Sequence, residues 1–222
     1  MPAPTSLYAT RANLKIRVDG AGVWTTNDDT AADQVLLALS RGIDVWCRVP
    51  PGEFYPGSSG TVLYFTAERS DHLDVPALSA VSEIATDDSG TGTYSRTWSS
   101  TDYLLDPPNA SVYGEPYTRI MRNDRSNGAG YSFPVGVQRG VRVTCTPGWP
   151  ATPTDITEAV LVEAAHMLQQ SKNPTAIVAS PQLGQMMVEP AWMPTTAKRL
   201  APYRRMGDIR AIGGRGVQTW RA

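Results

Sequence analysis

A chain of 222 residues with 41% hydrophobic residues is long enough to bury a sizeable core and too apolar for global disorder. Charged residues make up 18%, below the ~25% of typical soluble domains, which suits a surface partly covered by neighbours. The net charge of −1 excludes a whole-chain attraction to nucleic acid, yet Lys198, Arg199, Arg204, Arg205, Arg210, Arg215 and Arg221 face Asp208 alone, so an acidic body carries a basic tail.

Met1–Thr10 lacks the basic start and apolar core of a secretory signal, and no apolar run approaches the ~18 residues of a membrane span. A soluble protein made in a cytoplasm is expected. Asn13–Val18 alternates Leu14, Ile16 and Val18 with polar residues, which is strand-like. Asn27 then offers an N-cap, with Asp28 and Asp29 at the positive end of a helix dipole. Apolar residues recur at Ala32, Val35, Leu36, Leu39, Ile43, Trp46 and Cys47, one face of a helix, with Gln34, Ser40, Arg41, Asp44 and Arg48 largely elsewhere. Pro50-Pro51-Gly52 stops it, and Gly42 lies inside it either at a close crossing or as a tolerated glycine.

From 49 to 148 the helical period disappears. Thr61–Thr66, Ala80–Thr86, Thr93–Trp98, Tyr117–Met121 and Val141–Thr146 read as short strands, and Asp88–Gly92 as a hairpin loop between two of them. Asp71–Asp74 reads as a solvated turn and Asn127–Gly130 as a flexible one. A second helix starts with Thr152 as N-cap and Pro153 at its first position. Its stripe comprises Ile156, Val160, Ala164, Met167 and Leu168, widened by Leu161 and Ala165, and Asn173-Pro174 ends it. A loop over 175–190 follows, then a short helix from Pro194 through Arg205, and 207–222 reads as an extended tail. The fold class expected is α+β: a small bundle of two long helices and a short C-terminal one, with an inserted antiparallel β lobe. The boundaries are 1–48 with 149–206 for the bundle, 49–148 for the lobe and 207–222 for the tail. The two long helices are expected to pack together.

Little in the chain points to catalysis. His72 and His166 are far apart, and with Cys47 and Cys145 they make no metal-ligand spacing; both cysteines fit small buried apolar roles. No Gly-x-Ser-x-Gly elbow is present, and the pairs Asp28-Asp29 and Asp87-Asp88 fit helix-start and turn roles. Gly20-Ala21-Gly22 lacks the context of a dinucleotide site, and Gly213–Gly216 lacks the ending of a phosphate loop. No enzyme activity, cofactor or metal is therefore expected. The basic tail fits docking on an acidic protein partner through Arg204, Arg205, Arg210, Arg215 and Arg221, with Trp220 as aromatic anchor. Phosphate binding and a solvated terminus are the other readings.

An ordered set of short segments carries a family resemblance. Tyr8-Ala9-Thr10 precedes Gly42–Arg48; then come Phe54-Tyr55-Pro56, Thr61–Phe65, Asp102–Pro107 and Pro116–Ile120. Gly148-Trp149 precedes Pro153 and the helix Ile156–Gln170, and Leu200–Arg205 closes the series. In this order they resemble the head–tail connector (adaptor) family of tailed bacteriophages, in its long form with a β insertion. The strand-like Asn13–Val18 departs from it, since the resemblance implies a short helix at this place.

The resemblance implies a structural virion protein of the neck between capsid and tail, assembled in the host cytoplasm. It would be a subunit of a homo-oligomeric ring, commonly dodecameric, with transient contact with passing viral DNA and none with membrane. The partners implied are the portal protein on one side and a stopper, tail-completion or tail protein on the other. The basic tail is then expected to be a portal-facing arm. The competing readings are another neck protein, which as a stopper would be β almost throughout, and a carbohydrate- or surface-binding β module, which would stay monomeric.

Overall fold

The computed structural model describes residues 7–18, 24, 26–124, 131–172 and 192–205, with the backbone alone for 26–28 and 169–172. These divide into two compact units, one from Met1–Gly52 with Thr152–Arg205 and the other from Glu53–Ala151. The predicted turn at Asn127–Gly130, the loop over 175–190 and the tail over 207–222 lie outside the described residues.

Thr10 opens the helical unit. Its hydroxyl accepts the Asn13 N–H at 3.2 Å while its carbonyl accepts that of Leu14, capping α1 (Arg11–Val18). The strand-like alternation expected here is thus corrected to a helix. Leu14 and Val18, four apart, are buried, whereas Ile16 is 79% exposed. The spacings of a strand and of a helix share the pair i, i+4, and only the fate of the middle residue tells them apart.

The long helix α2 (Thr26–Cys47) starts one residue before Asn27, the expected cap. It ends before the Pro-Pro-Gly run. Arg48 adopts a left-handed φ of 59°, its N–H bonds the Val45 carbonyl, and the Val49 N–H reaches back to Asp44 at 3.0 Å. This pair of bonds is a Schellman cap with arginine where glycine is usual. Helix α4 (Thr154–Lys172) starts after Pro153, whose carbonyl accepts the Thr157 N–H, so Pro153 stands at the cap and not inside the first turn. The expected third helix is shorter than anticipated: α5 spans Pro194–Leu200, and a 3-10 turn carries Ala201–Tyr203.

Helix α2 packs on α4, α1 lies against both, and α5 lies against α4. Leu36, Ile43, Cys47, Ile156, Val160, Ala164 and Leu200 fill the centre. Met167, assigned to the apolar stripe from its spacing, is instead half exposed. Arg17 on α1 bonds Glu158 on α4 at 2.7 Å, and Arg11 pairs with Asp29 and Asp33 on α2, fixing the short helix at both of its neighbours.

The second unit is an antiparallel sheet of β1 (Thr61–Phe65), β2 (His72–Thr86), β3 (Arg96–Trp98), β4 (Tyr103–Asp106), β5 (Tyr117–Arg122) and β6 (Val141–Pro147). Their order is β1-β6-β2-β5-β4, and β3 pairs with the far end of β2 on the side that β5 occupies at the near end. A four-residue helix α3 (Ala110–Tyr113) lies between β4 and β5. The hairpin expected around Asp88–Gly92 joins β2 to β3.

Three expectations change. Of Asp71–Asp74, read as a turn, His72–Asp74 open β2; β4 and α3 were not anticipated; and β2 is 15 residues long, where a strand over Ala80–Thr86 was expected. Pro76 hid the first half of β2. It sits where the register with β5 slips between Asp74 and Leu78, a bulge that tolerates a residue lacking an N–H.

Val141, Val143 and Cys145 of β6 point inward with Leu73, Leu78, Ile84 and Ile120. Trp98 stacks on Phe133 with ring centres 4.6 Å apart, and Tyr131 packs on the same indole at 5.4 Å. Such ring pairs contribute about 0.5–1.5 kcal/mol each beyond their burial.

Candidate docking surfaces

Ser40 and Asp44 were expected away from the apolar face of α2, yet both are buried, Asp44 to 1% exposure. Tyr8 explains them. Its backbone N–H bonds the Ser40 hydroxyl, which in turn donates to the Leu36 carbonyl, and its phenol O–H donates to Asp44 Oδ1. Asp44 Oδ2 accepts the Gly52 N–H at 3.0 Å and lies 3.3 Å from Arg41, whose guanidinium also stands over the Tyr8 ring. Burial raises the Asp44 carboxyl above its ordinary value, opposed by the bonds from Tyr8 and Gly52 and by the charge of Arg41. The Tyr8 carbonyl accepts the Thr157 hydroxyl of α4. The N-terminal segment is thereby tied to both long helices.

The segment 192–205 is held just as firmly. A Cβ on Gly42 would stand 3.2 Å from the Trp192 indole, so the close approach at this glycine is to a ring and not to a crossing helix. The buried Glu163 carboxylate accepts the Met193 N–H at 2.8 Å, ahead of α5. The Arg204 guanidinium lies over the Trp46 ring at 5.3 Å, and the Arg205 N–H bonds the Cys47 carbonyl. Of the six residues expected to contact a portal, Arg204 and Arg205 are thus seated at the end of α2. Arg210, Arg215, Trp220 and Arg221 lie outside the described residues.

On the sheet, Asp87 organises the β2–β3 loop. Its carboxylate accepts the N–H groups of Ser89, Gly90 and Gly92 and the Ser89 hydroxyl. Desolvation pushes this carboxyl up, but the bonds from Gly92 and Ser89 outweigh it and hold it below the ordinary range. Asp88 pairs with Arg96 across the hairpin at 3.2 Å. Both residues of the Asp87-Asp88 pair therefore have structural work. Asp29, of the other pair, receives the Trp24 indole N–H at 2.6 Å.

His72 stands 3.1 Å from Asp71 and 3.9 Å from Asp74, and Asp74 also takes the Arg119 guanidinium at 2.8 Å. His166 lies half-buried on α4. Among the described residues, no group of three or more His, Cys, Asp or Glu side chains is placed to hold a metal ion, and no helix is long and apolar enough to cross a membrane. Cys47 and Cys145 are both buried and unbridged, and burial pushes the Cys145 thiol up to about 11.

The most exposed apolar residues on the sheet unit escaped sequence reasoning. Val112 and Tyr113, on the α3 tip, are 78% and 74% exposed. Only the bracketing run of Pro107, Pro108, Gly114 and Pro116 marks this tip in the sequence, as turn chemistry around an apolar pair. On the helical unit Val45 is 79% exposed, at the last turn of α2.

The chain is thus an α+β protein, a helical bundle whose sequence is interrupted by an antiparallel sheet, with apolar residues displayed on both units. No family model matches it, and no curated protein does. Among solved structures it is similar to a chain of the neck of an empty GTA particle, computed with C6 symmetry. The likeness has a TM-score of 0.52 at 18% identity and covers 96% of this chain and 97% of that one.

Proposed function

We propose that this chain is a head-to-tail adaptor: a non-enzymatic subunit of a homo-oligomeric ring in the neck of a phage or phage-like particle. It links the portal protein to a stopper, tail-completion or tail protein and lets viral DNA pass. The observation that carries this reading is the end-to-end likeness to a neck chain of a GTA, a phage-like gene transfer agent, over nearly the whole of both chains. It agrees with the family resemblance read from the ordered segments Tyr8–Arg205.

Three physical features support the reading. The bundle of α1, α2, α4 and α5 argues for an adaptor over a stopper, for which strands almost throughout are expected. Residues 53–151 carry eleven acidic against seven basic side chains, a balance that suits a passage DNA must not stick to. A neck with C6 symmetry accommodates a ring whose copy number is a multiple of six, including the dodecamer that the resemblance implies. In this reading Arg204 and Arg205, anchored on α2, set where the basic arm departs, and Arg210, Arg215, Trp220 and Arg221 supply its contact with the portal.

Imaging of intact particles tests the assignment. Density for this chain is expected between capsid vertex and tail, and its absence from purified particles would overturn the adaptor reading. Truncation after Met206 tests the arm. It is expected to weaken co-purification with the portal, and unchanged association would remove the arm from the account.

A further inference from the structure

The connection between β4 and β5 is built as a rigid peg. Pro107 and Pro108 precede α3, and the Ala110 N–H bonds the Pro107 carbonyl. Gly114, at a φ of 68°, closes the turn with its N–H on the Ala110 carbonyl, which also takes the Glu115 N–H at 2.8 Å. Val112 and Tyr113 are the apolar head of this peg. An exposed aromatic on a braced loop loses little conformational freedom on docking, which is how anchor residues gain affinity. Between Tyr103 and Thr118 the only charges are Asp106, which stands opposite Arg119 in the β4–β5 pair, and the exposed Glu115, so the peg is apolar with one acid at its base.

The complementary surface lies at the C-terminal end of α2. Val45 is displayed there, Arg48 is exposed three residues later, and Lys198 and Arg199 are exposed on α5. The Arg204–Trp46 and Arg205–Cys47 contacts hold the end of that segment against the last turn of α2. Neither 45–48 nor 194–205 contains a carboxylate, and Arg48, Lys198 and Arg199 form no ion pair among the described residues. The end of α2 thus displays an exposed valine beside an exposed arginine with no exposed carboxylate in its last turn, while α5, packed on α4, carries two further exposed cations.

We propose that the α3 peg of one copy docks on the C-terminal end of α2 in the next copy, Tyr113 and Val112 against Val45 and Glu115 toward Arg48. Two different patches of one chain meeting in this way form a heterologous contact, the kind that closes into a ring when the rotation permits. The inference rests on the ring reading above and names its subunit interface.

Disulfide trapping of the full-length chain tests it, using Val45→Cys and Tyr113→Cys together; both sites are exposed, so the fold tolerates the exchange. Oxidation in concentrated solution is expected to give a ladder of oligomers joined by 45–113 links, identified by peptide mass spectrometry. Glu115→Arg and Arg48→Glu are each expected to slow trapping about tenfold, and the two together to restore most of it, as coupled charge pairs do. A chain that forms no 45–113 link, or a double reversal no better than the singles, overturns the interface. Particle imaging keeps this separate from the parent reading. A ring seen in the neck without the 45–113 contact removes only the interface, whereas absence from the neck removes the adaptor assignment even if the link forms.

Discussion

Tyr8→Phe isolates the polar knot that joins the N-terminal segment to α2. The substitution keeps the ring over which Arg41 stands and deletes one hydroxyl, leaving the buried Asp44 carboxylate with the Gly52 N–H and the Arg41 charge. A hydrogen bond to a charged group is worth about 1.5–3 kcal/mol, so a loss of about 2 kcal/mol is expected at neutral pH. With a urea dependence of about 2 kcal/mol per molar, the unfolding midpoint falls by about 1 M.

The pH dependence gives the sharper test. Burial already raises the Asp44 carboxyl above its unfolded value, so its contribution to stability is fully present in acid and is lost as pH rises through the folded value. Removing the phenol raises that folded value further and steepens the loss. The Tyr8→Phe penalty is therefore expected to be largest at neutral pH and to shrink toward that of an ordinary hydrogen bond once the carboxyl is protonated. Urea unfolding followed by circular dichroism at several pH values reads both quantities. A penalty below about 0.5 kcal/mol, or one that does not change with pH, would refute the knot as the restraint described.

Arg48→Gly should stabilise the chain by about 1 kcal/mol, because a left-handed residue with a Cβ costs about 1–2 kcal/mol and glycine returns part of that as lost chain entropy. A thermal melt checks it, and an unchanged or lowered midpoint would count against the cap geometry. Cys145, buried in β6 with its thiol pushed up to about 11, should resist alkylation at neutral pH in the native protein and react readily once unfolded in urea. Rapid native labelling at this position, read by mass spectrometry, would place the thiol outside the sheet core.

Helix α2 and the alternating strand β6 were legible because each has a period of its own, and the hairpin of β2 and β3 because Asp88–Gly92 is turn chemistry. Val141, Val143 and Cys145 alternate inward with no help from context. Helix α1 was not legible in its own residues, since Leu14, Ile16 and Val18 fit two periods over so short a span; only the family resemblance implied a helix there. The first half of β2 was hidden by Pro76, whose missing N–H is harmless only because a bulge falls there. Of the candidate docking residues, the basic run near the C-terminus was visible as charge, whereas the Val112–Tyr113 peg was not, because two apolar residues in a turn carry no periodic signal.

By itself the sequence determined that strands follow α2 and that helix returns at α4, since hydrophobic period and turn residues are local properties of the chain. It also determined the acidic body and basic end, because charge is additive along the chain. Only the tertiary structure decided that Ser40 and Asp44 are interior, because their burial depends on Tyr8, 36 residues away from Asp44, arriving with a donor. It likewise decided that Gly42 receives Trp192 and that Arg204 settles on Trp46. Such contacts join residues distant in the chain, and their free energy comes from mutual burial, which no local window of residue types contains.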